Sequence, residues 1–452
     1  MTLGARLNCA SRAPRACSPF SDTLLARIAR LSAAFLGSNL ARAAIGFGLS
    51  FALARGLGAE RFGRWILCTA WASTLTVVVD LGFGVLLTRD GARADSDPGR
   101  LLSGALALRL ALVVPLAALL YAGAGRLSSD AETIAGLRIA VLLGTAGAAY
   151  GCFAALFRSQ PRWLPIVLGV ETGCLALQLA GAWWLVRSGA GIVSLMTLAV
   201  AVQLAQIALA VVCWRTVLGD RARVRLASPD AIVALARRAL PFAVSGIVAN
   251  AQTRIGPLML GYLSTQSELG LFAAASRFGS VARLAPQAVF AGALPVLSHE
   301  HGRGRATAEH VVHTFDRVLL GASAAIAAAC LLFAVPLLRL VYGPSFVRAA
   351  PALVWVGVGL VPLLSNAGRK VFLYASGGEA LVVRWGAVAL IVHVCVGALL
   401  IPTLGSAGAA VSVAAGEAAI WWPLRRATPR ATTVDAEAAE LVCSSCRPPG
   451  LP

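Results

Sequence analysis

Eleven charged side chains stand inside stretches that are otherwise apolar, and the chemistry open to the chain starts with them. Seven are arginines, Arg42, Arg109, Arg138, Arg254, Arg277, Arg283 and Arg317; four are acids, Asp80, Glu171, Asp316 and Glu417. A charge at bilayer depth costs at least about 2.5–3.5 kcal/mol on insertion scales, so such groups face a cavity, pair with one another or snorkel. Guanidinium keeps its charge at any relevant pH and matches phosphate oxygens bidentately, which makes an anion the natural ligand of several together. Asn39 and Arg42 are three apart and Asn250 and Arg254 are four apart, so each pair shares one helix face. Arg277 follows, and Arg283, six residues on, lies on a different face. These six are the candidate substrate-binding residues. Asp80, Glu171 and Glu417 are candidates for coupling to protons or sodium, because intramembrane carboxylates mark ion pathways. For Arg109, Arg138 and Arg317, which lie near span ends or beside Asp316, snorkelling or local pairing is the competing reading.

The remaining reactive groups point elsewhere. His299, His301, His310 and His313 fall in or beside one connection and read as a solvated loop ahead of a metal site, while His393, alone in an apolar stretch, reads as packed and hydrogen-bonded. Cys443 and Cys446 lack a second ligand pair, and six other cysteines sit singly in apolar runs as small hydrophobes. No Ser/His/Asp set, phosphate-binding glycine loop or dinucleotide fingerprint occurs, so no catalytic residue, metal or cofactor is expected.

The elements that carry these residues are membrane spans. Of 452 residues, 58% are hydrophobic and 13% charged, against about 25% charged in a soluble domain. Segments near 32–54, 63–87, 101–122, 133–157, 163–186, 190–214, 239–262, 269–297, 314–338, 351–368, 385–401 and 406–424 are long enough to cross a bilayer, which predicts an all-α polytopic membrane protein of about twelve helices. The formal charge of +19 is spread between apolar runs, which argues for topology and anionic-lipid contact and against nucleic acid. With the N-terminus in the cytoplasm, 25 of the 39 Lys and Arg fall on that side and 7 opposite, so both termini are expected to be cytoplasmic.

The longest cytoplasmic connection divides six spans from six. The expected organisation is a basic leader at 1–31, a six-helix bundle at 32–214, a linker at 215–238, a second bundle at 239–424 and a disordered tail at 425–452. Weak internal similarity supports the cut: Leu156–Leu164 loosely matches Leu373–Leu381, and Gly189-Ala-Gly191 resembles Gly405-Ser-Ala-Gly408. Halves with an even number of spans share one orientation, a plan that puts binding near the midplane between them.

Four stretches in order resemble the polysaccharide and O-antigen flippase family of the multidrug/oligosaccharidyl-lipid/polysaccharide exporter superfamily. They are Leu53–Gly63 with Asp80-Leu-Gly-Phe-Gly84; Glu268–Arg277 running to Ala293-Leu-Pro295; Val341–Phe346 with Ala350–Leu353; and Ile401–Ala410. The resemblance implies two bundles that rock between inward- and outward-open states and carry a polyprenyl-diphosphate-linked oligosaccharide across the inner membrane, for O-antigen, capsule or exopolysaccharide. It further implies a monomer working among membrane lipids, beside a polysaccharide polymerase and chain-length machinery. A cation-drug antiporter of the same superfamily is one alternative, although its cavity should be acidic. A membrane-embedded polymerase or glycosyltransferase is another, although the expected outer loops are too short for a catalytic domain.

Overall fold

The computed structural model describes residues 19–80, 82–93, 97–160, 162–219, 229–284, 305–375 and 378–445, with most side chains described between 37 and 426. His299, His301, Ala293–Pro295 and Cys446 lie outside the described residues, as do the side chains of His310, His313 and Cys443. The elements are α1 (Pro19–Asp80), α2 (Phe83–Gly91), α3 (Pro98–Leu127), α4 (Ala131–Arg158), α5 (Leu164–Arg187), α6 (Ile192–Leu218), α7 (Pro229–Leu263), α8 (Gln266–Ala282), α9 (Arg305–Val341), α10 (Ala350–Ala375) and α11 (Glu379–Ser445). A 3-10 turn at Pro344–Ala349 joins α9 to α10, and no strand occurs among the described residues.

Among the described residues, eight stretches are long and apolar enough to cross a membrane. Two of them, Gly37–Asp80 and Ala380–Arg426, hold 44 and 47 residues, about twice what one crossing needs. Each breaks at a glycine with left-handed backbone, Gly58 (φ 74°) and Gly405 (φ 53°), a conformation that only glycine adopts cheaply. The breaks fall between the first and second expected spans and between the eleventh and twelfth. With α7 and with α8, whose 17 described residues fall short of a full crossing, the described helices are those of an all-α polytopic membrane protein, and residues 285–297 of the eighth expected span lie outside the described residues. Leu119, Leu332, Leu340 and Leu399 are largely exposed, which suits a lipid-facing surface and not a water-facing one.

Three boundaries differ from the sequence reading. The second span stops at Asp80, and the chain restarts as α2 after Gly82, again left-handed (φ 74°). The linker expected at 215–238 is partly helix: α7 starts at Pro229, a residue favoured in the first turn, and Leu235 and Ala239 bury against Phe83, Phe157 and Trp214. The tail expected to lose structure at 425 continues as helix through Ser445, where an alanine- and glutamate-rich run favours that state.

The principal core joins the two halves. Phe62, Trp65 and Met196 from the first half share one apolar cluster with Leu269, Phe272, Tyr342 and Phe346 from the second. Phe62 meets Phe346 edge-on at 6.3 Å, and Phe47 meets Phe278 at 5.6 Å, arrangements that add to plain area burial.

Candidate functional site

Arg254 stands between two cavities and lines both. The larger, about 560 Å³, lies within the first half and is walled by Arg42 and Ser73 of α1, Tyr150 of α4, Glu171 and Gln178 of α5, and Gln203 and Gln206 of α6. The smaller, about 260 Å³, lies within the second half beside Gln252 of α7, Ser276 of α8, Arg283, Trp355 of α10 and His393 of α11. Arg254 reaches across because α7 packs against both α11 and α1. Its Nη1 donates to Ser73 Oγ at 2.6 Å, while its Nε is buried with no hydrogen-bond partner among the described residues.

The other candidate cations gather in the same region. Arg277 lines neither cavity, but it is close enough to Arg254 for the two charges to repel and lies within electrostatic reach of Tyr342. Arg283 lines the smaller cavity within electrostatic reach of Glu417, and its Nε is also buried without a partner. Among the described residues, no carboxylate comes within ion-pair distance of Arg254, Arg277 or Arg283. All three are half-buried, and clustered guanidiniums with no carboxylate facing them among the described residues suit an anionic ligand.

Arg42 is placed differently. It lines the larger cavity, yet its Nη1 donates to Glu171 Oε2 at 2.5 Å. Arg158, at the end of α4, donates to the other oxygen of the same carboxylate. The two asparagines do not join the cavities: Asn250 Nδ2 donates to Gly246 O of its own helix at 2.8 Å, and Asn39, half-buried, lines neither.

Each candidate coupling carboxylate has cationic company in this conformation. Asp80 accepts from Arg109, whose Nη1 also donates to Ala148 O at 2.8 Å. Arg109 fits because residue 151 is glycine, where a Cβ would lie 2.5 Å from that nitrogen. Glu417 accepts from Asn366 Nδ2 at 2.8 Å and from Lys370 Nζ at 3.3 Å. Buried Asp316 pairs with Arg369 at 2.5 Å. Arg138 lies over the Tyr121 ring, 5.1 Å from its centroid, and Arg317 is exposed.

Sequence reasoning missed Arg158 and Lys370, which counting charges by loop had assigned to connections, and the neutral wall of Gln178, Gln203 and Gln206. Those glutamines were detectable as amides inside expected spans, with Gln203 and Gln206 three apart and bonded at 3.0 Å. His393 also departs from expectation. It is buried, but its Nε2 has no hydrogen-bond partner among the described residues and it lines the smaller cavity.

The fold has solved counterparts. The chain is similar to a multidrug resistance MATE family transporter of the MOP superfamily in its inward-facing conformation, with TM-score 0.71, 15% identity and coverage of 88% of this chain and 96% of that one. Against an outward-facing MATE family structure the TM-score is 0.60, at 15% identity and 90% and 96% coverage. It is also similar to the lipid II flippase MurJ in an inward closed conformation, with TM-score 0.69, 12% identity and coverage of 88% and 87%. No curated protein matches the chain. The family model described as polysaccharide biosynthesis protein matches residues 29–300, more than half of the sequence, and the chain therefore belongs to the polysaccharide biosynthesis protein family.

Proposed function

We propose that this protein flips a polyprenyl-diphosphate-linked oligosaccharide across the bacterial inner membrane, for assembly of a surface polysaccharide such as O-antigen, capsule or exopolysaccharide. The observation that carries the reading is that Arg254 lines two cavities and Arg283 one of them, with Arg277 in electrostatic reach of Arg254 and no carboxylate ion-paired to any of the three among the described residues. A diphosphate supplies the missing negative charge and several acceptor oxygens. The saccharide then lies against neutral groups, the amides of Gln178, Gln203 and Gln206, which can donate and accept towards hydroxyls at once. The polyprenyl tail stays in lipid. Alternating access follows from two halves that meet along α1 and α8 and hold the ligand between them.

The working topology has both termini and the 215–238 connection in the cytoplasm, and the protein acts as a monomer beside a polymerase and chain-length machinery. Coupling to protons or sodium through Asp80, Glu171 or Glu417 requires their ion pairs to open during the cycle. A cation-drug antiporter fits less well, because among the described residues the larger cavity has one acidic residue, Glu171, which two arginines clasp, and the smaller has none.

The test is surface-polysaccharide export in a deletion strain carrying Arg254→Ala. Export should fall to background with membrane abundance intact, and Arg254→Lys should restore part of it, since lysine returns the charge without the bidentate geometry. Full export by a normally inserted Arg254→Ala, Arg277→Ala, Arg283→Ala triple variant would overturn the reading.

A further inference from the structure

Glu171 holds the place that an anion would take. Its two carboxylate oxygens are divided between guanidiniums from two other helices, Arg42 Nη1 at 2.5 Å on one side and Arg158 Nη2 on the other. The carboxylate side chain is 9% exposed, while Arg42 and Arg158 remain 36% and 43% exposed. Each guanidinium therefore keeps open surface, and Arg42 also lines the 560 Å³ cavity. Two cations converging on one oxyanion is the chemistry of a phosphate subsite, with the anion supplied by the chain itself. Glu171 is the eighth residue of α5, so at 1.5 Å per residue it lies about 10 Å inside that helix end. Arg158 closes α4 at the same end.

We infer that Arg42 and Arg158 form a second anion subsite, for a phosphate group of the transported lipid, and that Glu171 fills it while the carrier is empty. The inference rests on the reading of the substrate as a phosphate-linked lipid. The entering phosphate displaces the carboxylate, the guanidiniums exchange one oxyanion for another, and the carboxylate returns when the ligand leaves. No bond is made or broken in the exchange. The arrangement keeps two arginines from standing bare in the empty carrier, and it weakens net binding, because ligand must compete with a tethered anion of high effective concentration. Release is then faster than from an uncompensated arginine cluster. It also explains why Arg42, unlike Arg254, has a carboxylate partner although both line one cavity.

The experiment titrates inorganic pyrophosphate into the full chain in lipid nanodiscs by calorimetry. Glu171→Gln should bind it about tenfold more tightly than the parent because the competing charge is gone, and adding Arg158→Ala should cancel the gain. Equal or weaker binding by a Glu171→Gln protein that melts like the parent would overturn the inference. Should that variant not fold, phenylglyoxal modification of the parent, mapped by mass spectrometry, decides the matter: pyrophosphate should protect both Arg42 and Arg158, and protection of neither refutes the subsite. The outcomes separate this proposal from the one it rests on. If Arg254→Ala abolishes export while Glu171→Gln leaves pyrophosphate affinity unchanged, the subsite fails and the flippase reading stands. If export survives the triple arginine variant while Glu171→Gln tightens binding, the flippase reading fails and Arg42 with Arg158 stands as an anion subsite that no longer has the transported lipid as its ligand.

Discussion

Gly63 and Gly270 pack backbone to backbone where the two halves of the molecule meet. A Cβ on Gly63 would lie 1.7 Å from Gln266 O and 2.9 Å from Gly270 N, and a Cβ on Gly270 would lie 2.0 Å from Ala59 O and 3.1 Å from Gly63 N. The two occupy matching places in the second and eighth spans. Helices meeting through glycine approach closely enough for many weak contacts in a solvent that offers no hydrophobic gain for association.

Gly63→Ala and Gly270→Ala should each lower stability by about 1–3 kcal/mol or more, since main chain and not a flexible side chain must move. Gly46→Ala, where a Cβ meets nothing within 4 Å, is the matched control. Melting temperature in detergent checks this, and a Gly63→Ala protein as stable as Gly46→Ala would contradict the close approach.

Glycines in the repeated turn seat glutamates. Glu132 accepts from Ile192 N at 2.7 Å at the start of α6, and Glu268 accepts from Ser406 N at 2.9 Å after the break in α11. A Cβ on Gly191 would lie 2.4 Å from Glu132 Oε1, and one on Gly405 would lie 2.5 Å from Glu268 Oε2. Glu268→Ala should cost about 1–2 kcal/mol through loss of a helix-end acceptor. Gly405→Ala should cost more, because φ is 53° there as well. Thermal melts of the two variants should rank in that order.

Arg369 and Asp316 form a buried pair with side chains 10% and 8% exposed. Arg369→Ala leaves the acid buried and should destabilise by about 3–5 kcal/mol. The double change to Arg369→Met with Asp316→Leu should be far milder, since neither charge then needs solvation. A chemical-denaturation cycle reads the difference, and equal costs for the single and double variants would refute the coupling.

Asp130 lies between α3 and α4, outside the spans, and caps α4 by accepting from Thr133 N at 2.8 Å and Thr133 Oγ1 at 2.7 Å, with Arg64 at 3.0 Å. The Thr133 hydroxyl, then its backbone N–H, and to a smaller degree Arg64 hold the carboxyl below its ordinary value of 3.8. A carboxyl depressed in the folded state stabilises above its unfolded value and loses that contribution as pH falls through the folded one. The melting-temperature gap between the parent and Asp130→Asn should therefore be full at pH 6 and narrow below about pH 4. The gap will be small, because the group is well solvated. A gap that widened on acidification would reverse the assignment.

The amino-acid sequence by itself determined that the chain is helical, that it lives in a bilayer, roughly where most of the helices among the described residues lie, and which arginines stand inside apolar stretches. Those properties are local: each follows from a run of apolar residues about twenty long, from a glycine such as Gly58 between two such runs, or from the cost of a single buried charge. It also marked the glycine turns at Gly189–Gly191 and Gly405–Gly408, since turn chemistry is written in neighbouring residues. Tertiary structure alone decided how the charges sort. Arg42 meets Glu171 across 129 positions, Arg254 reaches Ser73 across 181, and Asp316 pairs with Arg369 across 53. Arg158 counted as a loop charge until packing brought the end of α4 against α5. An arginine inside a span carries the same charge and the same insertion cost whether a carboxylate waits on the facing helix or not. Only the rotation and crossing of helices distant in sequence separate the clasped Arg42 from Arg254, Arg277 and Arg283, which have no carboxylate partner among the described residues.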